Sequence, residues 1–155
     1  YEAVAFCNWL SKQLGYCVLL PTEAQWERAV CHTDGREYPW GNKGELGKRC
    51  NMNDSGIGTT SAVGIFLKGN AKCGAADMAG NVVEWCSTKW RDSYEGYELK
   101  ADDTIDGEVL RVLRGGAFDF DEDDVRCASR YRHYPDFRLN YVGFRVVASP
   151  FTSGL

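Results

Sequence analysis

The residues best equipped for chemistry lie between Arg111 and Val147, in RVLRGGAFDFDEDDVRCASRYRHYPDFRLNYVGFRVV. Asp121, Glu122, Asp123 and Asp124 are consecutive. They could hold a hard cation, work as paired carboxylates, or form a solvated acidic face. Around them, Phe118, Phe120, Tyr131, Tyr134, Phe137 and Tyr141 alternate with Asp119, Arg130, Arg132, His133 and Arg138. Rigid aromatic area beside charge suits a binding surface, because it costs little side-chain entropy. The same composition suits a loop packed down by its own rings. The chain has two histidines, His32 and His133. His32 reads as a helix cap and His133 as a recognition residue. Neither stands with a nucleophile in a known local spacing, so no catalytic residue is assigned. A His-rich iron or copper site lacks ligands. Asn51, Asn53 and Asp54 in a Gly-rich loop, and Asn81 with Glu84, carry oxygens suited to calcium but match no EF-hand loop. Gly115-Gly116 is a backbone device, since no GxxxxGK[ST] surrounds it.

Two strands must hold this segment. Val109 to Leu113 is apolar and β-branched and is stopped by Gly115-Gly116; Phe144 to Val147 is opened by Gly143. The stretch of about 27 residues between them has little core pattern, and long irregular segments of this kind are usually functional. Upstream, residues 1 to 14 read as an amphipathic helix with Ala3, Cys7, Leu10 and Leu14 on one face and Phe6 beside it, capped by Gly15. Cys17 to Leu20 reads as a strand ended by Pro21. Thr22 and Gln25 form a capping box opening a helix through Val30, with Trp26, Ala29 and Val30 inward. His32 to Gly69 reads as ordered loop with few short strands. A Gly80-Asn81 turn precedes a strand from Val82 to Cys86, and Trp90 to Gly107 reads as a polar surface excursion. Ser149 to Leu155 reads as the start of a linker. The order of elements gives a loop-rich α+β fold class in a single domain over 1–155, with 109–147 as its ligand-binding region.

With 155 residues, 44% hydrophobic, the chain can bury a real core. A net charge of −4 argues against a general nucleic-acid binder, and no run is long and apolar enough for a membrane span. The acids at 119–124 are followed by Arg126, Arg130, Arg132, Arg138 and Arg145, which suggests internal pairing as much as partner steering. The seven cysteines (Cys7, Cys17, Cys31, Cys50, Cys73, Cys86 and Cys127) are odd in number and contain no CxxC. Scattered single thiols of this kind suggest a reduced, cytoplasmic setting. Tyr1 lies inside a helical pattern, which suggests that the chain is part of something longer.

Five motifs stand in order: Leu20-Pro21-Thr22-Glu23-Ala24-Gln25-Trp26-Glu27, Tyr38-Pro39-Trp40-Gly41-Asn42, Asp77-Met78-Ala79-Gly80-Asn81-Val82-Val83-Glu84-Trp85, Arg114-Gly115-Gly116 and Gly143-Phe144-Arg145-Val146-Val147. Together they resemble the formylglycine-generating-enzyme, or sulfatase-modifying-factor, family over nearly the whole chain. The resemblance implies a C-type-lectin-like fold of the formylglycine-generating-enzyme subtype, with an N-terminal part preceding Tyr1. The family's enzymes oxidise a sulfatase cysteine through a copper-binding cysteine pair shortly after the Gly-Gly motif. Here that segment, Ala117 to Val125, has no cysteine, and Cys127 looks like a non-catalytic family position. No copper and no catalysis are therefore expected. The iron-binding histidines of the related sulfoxide synthases lie in another domain.

The same fold serves the variable proteins of diversity-generating retroelements, which bind ligands, and this chain looks similar to them. An AAC codon randomised at its adenines can give Asp, Phe, Tyr, His, Leu or Asn. Those types occupy Asp119, Phe120, Asp121, Asp123, Asp124, Tyr131, His133, Tyr134, Phe137, Leu139, Asn140 and Tyr141; with Phe118 they form the expected contact set. Val125 to Arg130 and Gly143 to Val147 would be scaffold. The resemblance also implies structural calcium. One site would use Asn51, the Met52 carbonyl, Asp54 or Ser55, and the Ile57 carbonyl. The other would use the Ala79 and Val82 carbonyls, Gly80 or Asn81, and Glu84. The expected ligand is a protein surface, and the expected setting is a domain fused to an effector or signalling module. A formylglycine-type oxidase and a fixed interaction module remain the alternatives.

Overall fold

The computed structural model describes residues 1–42 and 44–149. Helix α1, Glu2–Leu14, ends at Gly15, whose φ of 74° lets its N–H return to the Ser11 carbonyl. Its buried face is Ala3, Cys7 and Ser11, while Leu14 and Phe6 are exposed. Ser11 belongs inside because its hydroxyl donates to the Cys7 and Val18 carbonyls and accepts from the Val18 N–H, which ties the helix to β1, Cys17–Leu19. The Thr22 and Gln25 capping box forms in both directions and starts α2, Glu23–Cys31. Trp26 and Val30 of α2 are buried, with Ala29 half-buried.

From His32 to Gly69 the chain turns through three short 3-10 segments, Leu46–Lys48, Asn53–Ser55 and Leu67–Gly69. The few strands expected there reduce, among the described residues, to one bridge between Tyr38 and Gly41. The central sheet follows: β2, Val83–Lys89, and β3, Arg111–Arg114, are antiparallel. The excursion between them carries a short helix, α3, Tyr97–Lys100. It is more than surface: Lys89 pairs with Asp102 at 2.8 Å, and Tyr97 reaches the α2 carboxylate Glu23 at 2.8 Å. Beyond β3, the long segment yields a 3-10 turn, Glu122–Val125, and β4, Arg130–His133, which pairs with β3.

The expected single strand over 144–147 is two strands instead. β5, Val142–Gly143, runs parallel to β2, and β6, Val147–Ser149, pairs antiparallel with β1. Phe144 to Val146 crosses between the sheets, because Arg145 turns inward to a carboxylate on β2. The sheet order is β4-β3-β2-β5, with β1-β6 separate. Residues 150–155 of the expected linker lie outside the described residues, and Ser149 closes β6.

Two ion-paired clusters join the layers. Glu23, buried on α2, accepts from Arg130 Nε at 2.5 Å, lies 3.4 Å from Arg114, and takes the hydroxyls of Tyr94 and Tyr97. Arg114, fully buried on β3, also donates to Glu27 at 2.8 Å. Glu84, on β2, receives Arg145 Nε at 2.5 Å, its NH2 group at 2.7 Å, and the Trp26 indole N–H at 2.7 Å. Pairing is what makes such buried charges tolerable, although Arg114 Nε is buried without a hydrogen-bond partner among the described residues.

Candidate functional site

The long segment is launched by Gly115 and Gly116, at φ 100° and 71°. A Cβ on Gly116 would lie 2.8 Å from Val125 Cγ1 and 2.9 Å from the Asp124 carbonyl oxygen, so a side chain there is excluded twice over. Ala117 and Phe118 then run into the core. The Phe118 N–H donates to the Asn81 carbonyl at 3.1 Å, and its side chain is only 6% exposed. Phe118 is therefore floor, not contact surface, which corrects its place in the expected contact set. A row of rings follows. Phe120 meets Tyr131 edge-on at 5.3 Å and Tyr141 at 5.7 Å, Tyr141 meets Phe137 at 6.4 Å, and Phe137 stacks on His133 at 3.3 Å. All five are half-buried, each with an edge toward solvent.

Over this row stand the freely exposed members of the set: Asp119, Asp121, Asp123, Asp124, Tyr134, Leu139 and Asn140. Their backbone is pinned from below. Val125 and Cys127 are buried, the Asn53 N–H donates to the Phe120 carbonyl at 3.0 Å, and the Cys127 N–H donates to the Glu37 carbonyl at 2.8 Å. The Tyr131 hydroxyl donates to the Asp124 carbonyl at 2.7 Å and to its carboxylate at 3.1 Å. Burial, and then the Asp124 charge, push that phenol above its ordinary range. The bases of the segment pair mostly outward. Arg130 goes to Glu23, Arg132 to Asp92 at 2.5 Å, Arg138 to Glu2 and Arg145 to Glu84; Arg126 alone faces an acid of the segment, Asp123, at 3.6 Å. The acids at 119–124 thus keep a negative face.

The two expected calcium sets fare differently. Asn51 Oδ1 accepts from the Ser55 hydroxyl at 3.0 Å, the Met52 carbonyl takes the Ser55 N–H at 3.0 Å, and the Ile57 N–H approaches Ser55 Oγ at 3.4 Å. Asn51, Met52, Ser55 and Ile57 are therefore gathered in one loop, with Asp54 exposed beside them. In the second set, Glu84 is turned away to Arg145 and Trp26, so its carboxylate is already neutralised. Asn81 is engaged by Ser61 and Asn51, and its N–H donates to the Asn51 carbonyl at 2.7 Å. Gly80 packs so closely that a Cβ would lie 2.1 Å from the Asn51 carbonyl oxygen, and the Val82 N–H closes onto the Gly80 carbonyl. The Gly80, Asn81 and Val82 N–H groups donate to the Gly115, Asn51 and Gly80 carbonyls, and the Glu84 carboxylate is committed to Arg145 and Trp26. Among the described residues no three His, Cys, Asp or Glu side chains converge on a metal-sized position.

Cys127, the one thiol between residues 117 and 141, is buried against Cys31 and near the Val30 carbonyl. A hydrogen bond from Cys127 lowers Cys31 below the usual thiol range, while the same contact and burial raise Cys127. Sequence reasoning missed Glu23 and Glu27 as partners of Arg114. Their signal was two acids spaced i and i+4 on the helix that carries the buried Trp26.

Among the described residues no helix is long and apolar enough to cross a membrane. Serine/threonine-protein kinase pkn1 of Chlamydia caviae is 32% identical over 151 residues, covering 94% of this chain and 22% of the kinase. The formylglycine-generating enzyme of Thermomonospora curvata is 33% identical over 170 residues, covering 96% and 53%. The chain thus spans about a fifth to a half of the length of these relatives. Among solved structures, PvdO from Pseudomonas aeruginosa superposes with a TM-score of 0.82 at 27% identity, over 94% of this chain and 58% of that one. Treponema denticola variable protein 1 superposes with a TM-score of 0.81 at 26% identity, over 97% and 69%. The expected C-type-lectin-like, formylglycine-generating-enzyme-type α+β fold is the fold observed. Residues 1–150 match the sulfatase-modifying factor enzyme 1-like domain, and the chain belongs to that family.

Proposed function

We propose that this chain is a non-catalytic ligand-binding domain whose recognition surface is the exposed set between Asp119 and Tyr141. One observation carries the reading. Asp119, Asp121, Asp123, Asp124, Tyr134, Leu139 and Asn140 project from a backbone anchored by Val125, Cys127 and the β3-β4 ladder, so their identity can change at little cost to the fold. The half-buried rings beneath supply rigid contact area. The likeness to Treponema denticola variable protein 1 supports a diversified surface of this kind. The negative face at Asp119 to Asp124 suits a protein ligand with a basic patch. The kinase relative, matched over 22% of its length, supports placement within a larger signalling protein, and the scattered free thiols support a cytoplasmic setting. The family's copper-thiolate oxidases need a cysteine pair within the segment that follows Gly115-Gly116, and residues 117–141 hold Cys127 alone, which is buried against Cys31 of α2. Calcium is retained for the Asn51 loop only. There the Asn51 amide oxygen, the Met52 and Ile57 carbonyls, Ser55 and Asp54 would hold it, and it would brace a loop with little secondary structure.

The test is a displayed library randomised at those seven exposed positions and panned against a basic protein such as lysozyme. Retained folding in most members, with saturable binders among them, is the expected result. Widespread loss of folding would mean that these side chains belong to the scaffold.

A further inference from the structure

A cavity adjoins one edge of the recognition surface, away from the Asp119 to Asp124 face. It holds about 450 Å3 and has apolar walls from Ala3, Val4, Leu20, Trp85 and Ile105. Tyr1, Glu108 and Pro135 lie on its rim, and the same three residues continue into a smaller recess of about 150 Å3 completed by Tyr134 and Asp136. The volume and lining are those of a small-molecule site, an apolar body with few polar groups. The recess adds two carboxylates beside two phenol rings.

The charges decide the ligand. Glu108 and Asp136 are both exposed, and neither belongs to an ion pair among the described residues; Glu108 only accepts the Tyr1 hydroxyl, at 3.4 Å. The nearby cations are already satisfied. The Arg111 guanidinium is buried against the carbonyls of Ser87, Thr104 and Asp106, at 2.5, 2.8 and 2.6 Å. Lys89 is held by Asp102 and Asp106. What remains unmet at the rim is negative charge beside the rings of Tyr1 and Tyr134, an arrangement that attracts an organic ammonium through charge and ring quadrupole together.

We propose that this cavity binds an amphipathic amine, its apolar body between Val4, Leu20 and Trp85 and its ammonium at Glu108 and Asp136. The site is separate from the exposed Asp119 to Asp124 face and does not depend on it. Tyr134 and Pro135, however, belong to the long segment, so a bound amine would touch one edge of the recognition surface.

The probe is phenethylamine, titrated into the 15N-labelled chain while the Trp85 indole N–H is followed by NMR. Its neutral isostere, 2-phenylethanol, and the acid 3-phenylpropionate serve as controls. Expected is a saturable Trp85 shift for the amine, weakening by about tenfold with the alcohol and vanishing with the acid. Glu108→Gln and Asp136→Asn each weaken the amine about fivefold. Val4→Trp, which fills the cavity, abolishes the shift. Equal binding of amine and alcohol, or indifference to both carboxylate variants, overturns the proposal. So does an amine response confined to the 119–124 amides, an outcome that would leave the recognition surface standing.

Discussion

Replacing Arg145 by Met tests how the long segment after β3 is tied down at its C-terminal end. Arg145 donates twice to Glu84, at 2.5 and 2.7 Å, and its NH2 group also reaches the Ala76 carbonyl at 3.1 Å. The Glu84 side chain is 6% exposed and that of Arg145 is 24% exposed. Removing the guanidinium leaves a buried carboxylate with the Trp26 indole as its remaining donor. Breaking a buried pair from one side costs about 3–5 kcal/mol, and the surviving indole bond favours the lower figure. In a domain of this size about 3 kcal/mol lowers Tm by about 6–12 °C. Circular dichroism melts of the wild type, Arg145→Met, Glu84→Gln and the double variant supply the assay. The double variant removes both charges at once, so it is expected to recover about 2 kcal/mol relative to the sum of the single losses. A loss below about 1 kcal/mol for Arg145→Met, or strict additivity in the cycle, would refute the view that this pair joins β2 to the segment between the sheets.

Three further outcomes follow from the geometry. Phe118→Ala is expected to cost about 3 kcal/mol in urea unfolding and Tyr134→Ala under about 0.5 kcal/mol, since the first ring is buried and the second is 53% exposed; similar losses would erase the distinction between floor and surface. A thiol reagent under native conditions is expected to label exposed Cys73 first, while Cys7, Cys50, Cys86 and Cys127 react only on unfolding. Burial pushes Cys50 up to about 12, so its thiolate is scarce at neutral pH; early labelling of Cys50 would contradict this. Millimolar calcium is expected to raise Tm relative to chelator, and Asp54→Asn to remove the gain while Glu84→Gln does not; a gain that depends on Glu84 would move the ion to the other loop.

Local rules read well where local chemistry decides. The Gly15 cap, the Thr22-Gln25 box and the β3 strand all follow from residue types within a few positions of one another. The errors share one cause, long-range pairing. Ser11 is inside because β1 supplies it with partners, and Leu14 is outside because no element among the described residues covers it. The run at 144–147 is apolar enough for one strand, but Arg145 must reach Glu84, 61 positions away in sequence, so the chain crosses between sheets. The same arginine pairs with Glu84, one of the expected calcium ligands. The long irregular segment between the strands was legible as a whole, because acids and rings without a core period stand there. Its depth was not, since Phe118 and Phe120 look alike in sequence and only the Gly115-Gly116 turn sends the first one down.

The central claim is tested most directly by sequencing, across a population of source cells, the gene segment encoding residues 116–142, together with a search of the locus for an adenine-richer second copy. The account predicts changes at Asp119, Asp121, Asp123, Asp124, Tyr134, Leu139 and Asn140, with the half-buried rings varying less and Phe118, Val125 and Cys127 constant. A single unvarying sequence with no second copy would contradict it and make the surface a fixed interface for one partner.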